Sequence, residues 1–312
     1  MNGQIPDSVK FLHTAEMGLG AWAWGDRTFW NYGRDYGEED IAAAFRASLE
    51  AGVTLVDTAE IYGNGRSERY VGKFMREAGR PVQVATKFLP FPWRLTKGSV
   101  VRALRHSLER LGLEKVDLYQ IHWPSPVVPI ETYAEGLALA LKAGLTAAVG
   151  VSNYDKQQMQ RAYSVLAKYD IPLASNQVEY HLLNRRVEKN GLLERCHELG
   201  VRLIAYSPLA KGMLTGKYGP DSPPPGLRAG EYGRLLKDLP PLLALMTEIG
   251  QGHGGKTPAQ VALNWTICKG TLPIPGAKNA AQAAQNAGAL GWRLTPEEIR
   301  ALDEASEKIT QG

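Results

Sequence analysis

The chain has 312 residues, 44% of them hydrophobic and 22% charged, and a formal net charge of +4. That balance excludes wholesale disorder, and the length suits either one α/β barrel of roughly 250 residues plus insertions or two domains of ~150 residues. The charge is mild and forms no run of five or six like residues, so no nucleic acid or membrane surface is expected as a partner; a small phosphate-bearing ligand is favoured instead.

The opening stretch, MNGQIPDSVKFLHTAEMG, has no apolar segment of leader type, and no apolar run of 18 residues occurs anywhere. The first strand is predicted at AEMGLGAW. Within it GLGAWA, residues 18–23, fits the glycine pattern of a dinucleotide-binding βαβ unit. That motif requires a helix to open at its second glycine, and WAWGDRTFWNYGRDYG follows, so the Rossmann reading is rejected. EEDIAAAFRASLEAG then reads as a helix that opens acidic and closes on glycine.

Further strands are predicted at VTLVDTA, PVQVATKF, KVDLYQIHW, LTAAVGVSN, PLASNQVEY, VRLIAYSPL and GTLPIPG. These runs do not alternate polar with apolar, as expected of a parallel sheet covered on both faces. Helical segments such as SVVRALRHSLERLG and NGLLERCHELG lie between them. Eight strands alternating with helices predict a single (β/α)8 TIM barrel filling residues 1–312, with an N-terminal cap segment. Residues 211–237, rich in Pro and Gly, are expected to form a lid loop. TPEEIRALDEASEKI is expected to add a C-terminal helix with a threonine N-cap and Pro at N1. The two cysteines, Cys196 and Cys268, suggest neither disulfides nor a metal site; they indicate a reduced cytoplasmic chain.

Each predicted strand ends in polar residues: Asp57, Lys87, His122, Ser152 with Asn153, Gln177, Tyr206 with Ser207, and Gly276 with Lys278. In a barrel those ends share one rim, where active sites sit. Taken singly, Asp57 reads as a turn cap, Tyr62 as rim packing, Lys87 as a surface lysine and His122 as a structural histidine. Together they have a joint chemistry. A phenol with a pKa near 10 is a poor proton donor at neutral pH; an ammonium ~4 Å away stabilises its anion by about 4 kcal/mol at an effective dielectric near 20, which would bring Tyr62 toward neutrality. Asp57 would keep Lys87 charged, and His122 would offer a neutral N–H to a substrate oxygen. Such a set needs a hydride source. Ser152, Asn153 and Gln177 suit a carboxamide, Tyr206 a flat heterocycle, and Lys278 a phosphate near a helix start. Two rivals are an aldolase with Lys87 as Schiff-base nucleophile and a regulatory binding subunit that senses cofactor redox state.

The motifs GLGAWAWG, DTAEIYGNGRSE, VATKF, DLYQIHWP, VGVSNY, SNQVEYHLL, AYSPLAKGMLTGKY and PIPGAKNAAQAAQNAGALGW together resemble the aldo-keto reductase superfamily over nearly the whole chain. ATKFLPFPWRLT, NWTICKGTLPIPG and ALGWRLT resemble its plant and cyanobacterial branch, which includes pyridoxal reductases. The resemblance implies a catalytic tetrad of Asp57, Tyr62, Lys87 and His122, with Tyr62 as the general acid in carbonyl reduction. It also implies NADPH lying across the rim. Gly20, Ala21 and Trp22 would border the cofactor, and Ser152, Asn153, Gln177 and Tyr206 would hold the nicotinamide. Ser207, Pro208, Leu209, Gly212, Leu214 and Lys217 would line the pyrophosphate, and Gly276, Lys278, Gln282, Gln285 and Asn286 the adenosine end. The superfamily often sets two cations at the 2′-phosphate; here Lys278 is followed by Asn279, so NADH use stays open. Trp22, Trp30, Trp93 and Trp123 are expected to wall the site of a small carbonyl substrate. A monomer or weak homo-oligomer is expected.

Overall fold

The computed structural model describes residues 9–224, 230, 233 and 235–310. Eight parallel strands follow one another in sequence order: β1 (Gly18–Gly20), β2 (Leu55–Asp57), β3 (Gln83–Phe88), β4 (Val116–Ile121), β5 (Thr146–Ser152), β6 (Leu173–Glu179), β7 (Arg202–Tyr206) and β8 (Leu272–Pro273). A parallel bridge between Gly20 and Gly276, with Gly20 N–H donating to Pro275 O at 3.0 Å, closes the ring. The fold is the (β/α)8 barrel that the alternation of elements predicts.

The glycines of the false nucleotide motif have their explanation in this closure. A Cβ on Gly20 would lie 2.8 Å from the carbonyl oxygen of Ile274, so only glycine lets β1 approach the chain after β8 so closely. The indole N–H of Trp24 then donates to Ala277 O at 2.9 Å and ties down the segment that follows.

The predicted helices are present at Glu38–Glu50, Lys97–Leu111 and Leu192–Leu199, each followed within two residues by a left-handed glycine (Gly52, Gly112, Gly200). The helix Pro296–Thr310 carries the expected threonine cap: Glu298 N–H donates to Thr295 Oγ1 at 3.2 Å, and the Glu298 carboxylate accepts from Thr295 N–H at 2.8 Å. The N-terminal cap segment is a short helix, Lys10–Thr14. It brings Leu12, with Val9, onto Leu55, Ala85, Leu118, Ala148, Ala174, Ile204 and Leu272 in a layer of its own, separate from the apolar cluster between strands and helices. In the predicted lid, residues 225–229, 231, 232 and 234 lie outside the described residues; at its two ends are 3-10 turns at Ala210–Thr215 and Leu235–Lys237.

That inner layer decides which side chains reach the rim. Side chains on a strand alternate between faces. With Leu55, Ala85, Leu118, Ala148 and Ile204 facing inward, the residues two further along must do the same. Those are Asp57, Lys87, Gln120, Gly150 and Tyr206, and His122 and Ser152 repeat the step.

Candidate active site

Lys87 is fully buried and Asp57 is 3% exposed. The Lys87 ammonium donates to Asp57 Oδ1 at 2.5 Å, to Thr58 O at 2.8 Å and to the Tyr62 hydroxyl at 3.4 Å. Tyr62 reaches it because the chain reverses immediately afterwards: Gly63, Asn64 and Gly65 all have positive φ (55°, 56° and 81°). A Cβ on Gly63 would meet Gly25 O at 2.7 Å, so the turn is packed against the loop after β1. On the other side of the carboxylate, Asp57 Oδ2 accepts from Gln177 Nε2 at 2.8 Å and from Gln120 Nε2 at 3.4 Å.

The charge states follow from these contacts. Burial pulls the Lys87 ammonium down, but Asp57 and Tyr62 outweigh it and hold its pKa above the ordinary value. Lys87 therefore stays protonated, which removes the neutral nucleophile that an aldolase needs. Burial pushes the Tyr62 phenol up; Lys87 pulls it down, Asp57 pushes it up again, and the sum is above the ordinary tyrosine value. The expectation that Lys87 brings Tyr62 toward neutrality is thus corrected. Lys87 does attract the phenolate, but the cost of desolvating that anion is larger. Burial, and then the Lys87 charge, push His122 down to about 3, so its imidazole is neutral. Its Nδ1 is buried without a hydrogen-bond partner among the described residues, while its carbonyl accepts from Asn153 Nδ2 at 3.0 Å.

A cavity of about 950 Å³ opens in front of this cluster. Asp57, Tyr62 and His122 line it; Lys87 stands behind them. Ser152, Asn153, Gln177 and Tyr206 form one wall and are bonded to one another or to their neighbours. Asn153 has φ +61°, accepts from the Tyr206 hydroxyl at 3.0 Å and donates to Ser152 Oγ at 3.1 Å; Ser152 Oγ donates to Gln177 O at 2.8 Å. Ser207, Pro208, Leu209, Gly212 and Lys217 continue the wall, and Gly276, Lys278, Gln282, Gln285 and Asn286 complete it. The last group is braced: Lys278 N–H donates to Gln282 Oε1 at 2.9 Å, and Asn286 Nδ2 donates to Gly276 O at 3.2 Å. The Lys278 ammonium donates to Trp30 O at 3.2 Å and sits over the Trp30 and Tyr36 rings.

Four expected site residues are placed differently. Gly20 and Ala21 do not line the cavity, because both are held in the sheet: Gly20 N–H donates to Pro275 O across the closure, and Ala21 N–H donates to Asp57 O of the neighbouring strand at 2.8 Å. Leu214 is fully buried, since the 3-10 turn Ala210–Thr215 turns it into the core with Met213. Trp93 is 73% exposed and stacks flat on Phe91, ring centroids 4.8 Å apart, outside the cavity wall. Trp22, Trp30 and Trp123 do line it, and Trp22 stacks on Phe29 at 5.1 Å.

Several wall residues went unread in the sequence. Glu179 lies two positions beyond Gln177, and that spacing was the available signal. Burial pushes its carboxyl up, but His181 and Lys211 outweigh it and hold it below the ordinary value. Lys211, in a left-handed conformation, gave no comparable signal. With Lys217 and Lys278 it gives the cavity wall three lysines beside the Tyr206 ring, alongside the carboxylates of Asp26, Asp35, Asp57 and Glu179. That donor set fits an anionic, phosphate-bearing molecule with a flat heterocycle, as a nicotinamide dinucleotide is.

A (β/α)8 barrel with a buried Lys–Asp pair at a phenol, a neutral imidazole and a large groove that carries lysines defines a class of carbonyl-transforming oxidoreductase. The aldo/keto reductase family model matches residues 16–307, and the chain belongs to that family. It is 43% identical over 310 residues to the chloroplastic pyridoxal reductase of Arabidopsis thaliana, covering 95% of this chain and 84% of the relative. Among solved structures, it is similar to a glycerol dehydrogenase from Gluconobacter oxydans (TM-score 0.81, 27% identity, 95% and 93% of the two chains covered). It is also similar to an aldo/keto reductase from Klebsiella pneumoniae in complex with NADP and acetate (TM-score 0.73, 31% identity, 93% and 90% covered). Among the described residues no helix is long and apolar enough to cross a membrane.

Proposed function

We propose that the chain reduces an aldehyde or ketone to the alcohol with NADPH as hydride donor and Tyr62 as proton donor. One observation carries the reading: an ammonium fixed by a carboxylate at 2.5 Å lies 3.4 Å from a phenol on the wall of a large cavity. When bound, NADPH supplies a hydride to the carbonyl carbon. Tyr62 gives its proton to the carbonyl oxygen as negative charge grows there, and Lys87 stabilises the phenolate left behind. Neutral His122 holds the same oxygen through an N–H. Ser152, Asn153 and Gln177 orient the carboxamide, Tyr206 supports the ring, and Lys211, Lys217 and Lys278 meet phosphates. Lys278 is followed by Asn279, Gln282 and Gln285, all uncharged, so the preference for NADPH over NADH is modest.

Trp22, Trp30 and Trp123 give the substrate side flat apolar walls. Small aromatic aldehydes, pyridoxal among them, are the substrates this supports, in keeping with the name of the Arabidopsis relative. We read residues 1–312 as one domain acting as a monomer or weak homo-oligomer in the cytoplasm; both cysteines are free, which suits a reducing compartment.

The test is NADPH oxidation across an aldehyde panel that includes pyridoxal, repeated with NADH and with Tyr62→Phe. The variant is expected to bind NADPH almost as the wild type does and to turn over at least about 100-fold more slowly. Wild-type turnover by Tyr62→Phe would refute the assignment, and pyridoxal among the poorest substrates would remove it from the class.

A further inference from the structure

We propose that Gln120, steadied by Ser175, is a positioning residue for the reaction: from beneath the cavity it holds the Asp57 carboxylate aimed at Lys87. The inference rests on the reaction proposed above but on different atoms. Gln120 is fully buried inside the barrel, directly across from Lys87 in the β3–β4 register. Its Nε2 donates to Asp57 Oδ2 at 3.4 Å, and its Oε1 accepts from the hydroxyl of Ser175, also fully buried, at 3.2 Å. The carboxylate fixes the sense of the amide, since the reverse orientation would set the amide oxygen against it, and the hydroxyl then donates to that oxygen.

The path between β4 and β6 exists because Gly150 stands between them in register. A Cβ there would lie 2.2 Å from Ser175 Oγ and 3.1 Å from Gln120 Cγ. Any side chain on β5 at that point would push the hydroxyl off the amide.

Asp57 already has a second amide donor in Gln177, at 2.8 Å. The two differ in exposure to chemistry: Gln177 lines the cavity and Gln120 does not. A ligand carboxamide that engages Gln177 competes for the same N–H group. Gln120 is out of its reach and keeps a donor on Asp57 Oδ2 throughout. Groups that orient a reacting side chain's partner in this way commonly change rate without contacting substrate.

The sign of the effect follows from charge. Without the Gln120 N–H, the negative charge on Asp57 is less offset, so the phenolate of Tyr62 is less favourable and its pKa rises. Gln120→Met keeps the volume and removes the donor. Two readouts apply: kcat for aldehyde reduction with NADPH, and the ultraviolet tyrosinate titration of Tyr62, isolated by subtracting a matched Tyr62→Phe background. The titration needs no cofactor, so it decides the point even if the chain reduces no aldehyde.

Gln120→Met is expected to lower kcat roughly tenfold, to leave the NADPH Kd within about twofold, and to move the Tyr62 midpoint to higher pH. Gln120→Glu is expected to lose progressively more activity as pH rises, because a second buried carboxylate then faces Asp57. Ser175→Ala, which leaves Gln120 in place without the hydroxyl that steadies its amide oxygen, is expected to give a smaller loss in the same direction. It replaces Gln120→Met as the deciding variant if the latter does not fold. An unchanged Tyr62 midpoint in a folded Gln120→Met or Ser175→Ala overturns the proposal, as does a loss of kcat that is the same at every pH in all three variants.

Discussion

Replacing Lys87 by Met removes one charge while nearly preserving volume, and the structure sets the size of the effect. At 3.4 Å and an effective dielectric near 20, an ammonium and a phenolate attract by about 5 kcal/mol. Tyr62 becomes a phenolate as it gives up its proton; if roughly half of that charge has developed at the transition state, the barrier rises by about 2–3 kcal/mol. Turnover should then fall roughly 100-fold. Lys87 does not line the cavity, so NADPH affinity should be nearly unchanged, which separates a chemical loss from a binding loss. The cost to the fold is separate. Asp57 keeps the Gln177 and Gln120 donors but loses its cation, and breaking a buried pair in this way typically costs ~3–5 kcal/mol. Single-turnover NADPH oxidation measures the first quantity, and urea unfolding the second. A kcat within threefold of wild type in a folded Lys87→Met would show that the ammonium does not stabilise the reacting phenol, and the electrostatic reasoning would fail.

Protonating His122 works against folding. Its pKa falls from 6.5 to about 3 in the fold, so between those values the unfolded chain binds more protons and stability falls as pH falls, by at most about 5 kcal/mol at about 1.4 kcal/mol per tenfold. Urea midpoints measured from pH 7 to 4 should drop, and His122→Asn should flatten the slope. Lys278→Ala should raise the KM for NADPH about tenfold and leave that for NADH little changed; equal losses with both donors would instead assign Lys278 to bracing the Trp30 loop. Because the phenol lies above its ordinary value, aldehyde reduction should be flat with pH through neutrality, while alcohol oxidation climbs with pH; a break in the oxidation profile near pH 7 would contradict this.

The barrel and its rim were legible because one face of each strand carries a regular signal. Leu55 then Asp57, Ala85 then Lys87, and Leu118 then His122 place polar residues in phase with buried ones, and a series of such strands alternating with helices admits few other folds. The same parity points to Gln120, which was passed over because it lies inside the run DLYQIHW and not at its end. Distances were not legible. The β1 glycines look like a phosphate loop until β8 is seen against them, and Trp93 looks like a pocket wall until its ring is seen on Phe91. Leu214 had no local mark of its inward turn, since the 3-10 segment that buries it contains left-handed Lys211 and Gly212. The net pKa of Tyr62 lay furthest from reach. It is a contest between desolvation, set by the whole surrounding fold, and one ammonium, and only the second has a sequence position.

That contest also bears on the direction in which the site works. A general acid must arrive protonated, and a phenol held above its ordinary value carries its proton across the whole physiological range. Lys87 is then of no use to the resting phenol. On the proposed reaction it acts when charge develops, because a fixed ammonium requires no reorganisation as the proton leaves. The Asp57 pair fixes that ammonium in the resting protein, so the cost of burying two charges is met in the fold and not at the moment of reaction. In the reverse reaction Tyr62 must first lose its proton against the full desolvation of its anion. On the proposed reaction, the same buried geometry that keeps the acid loaded leaves little of the base form at neutral pH, so alcohol oxidation calls for a higher pH.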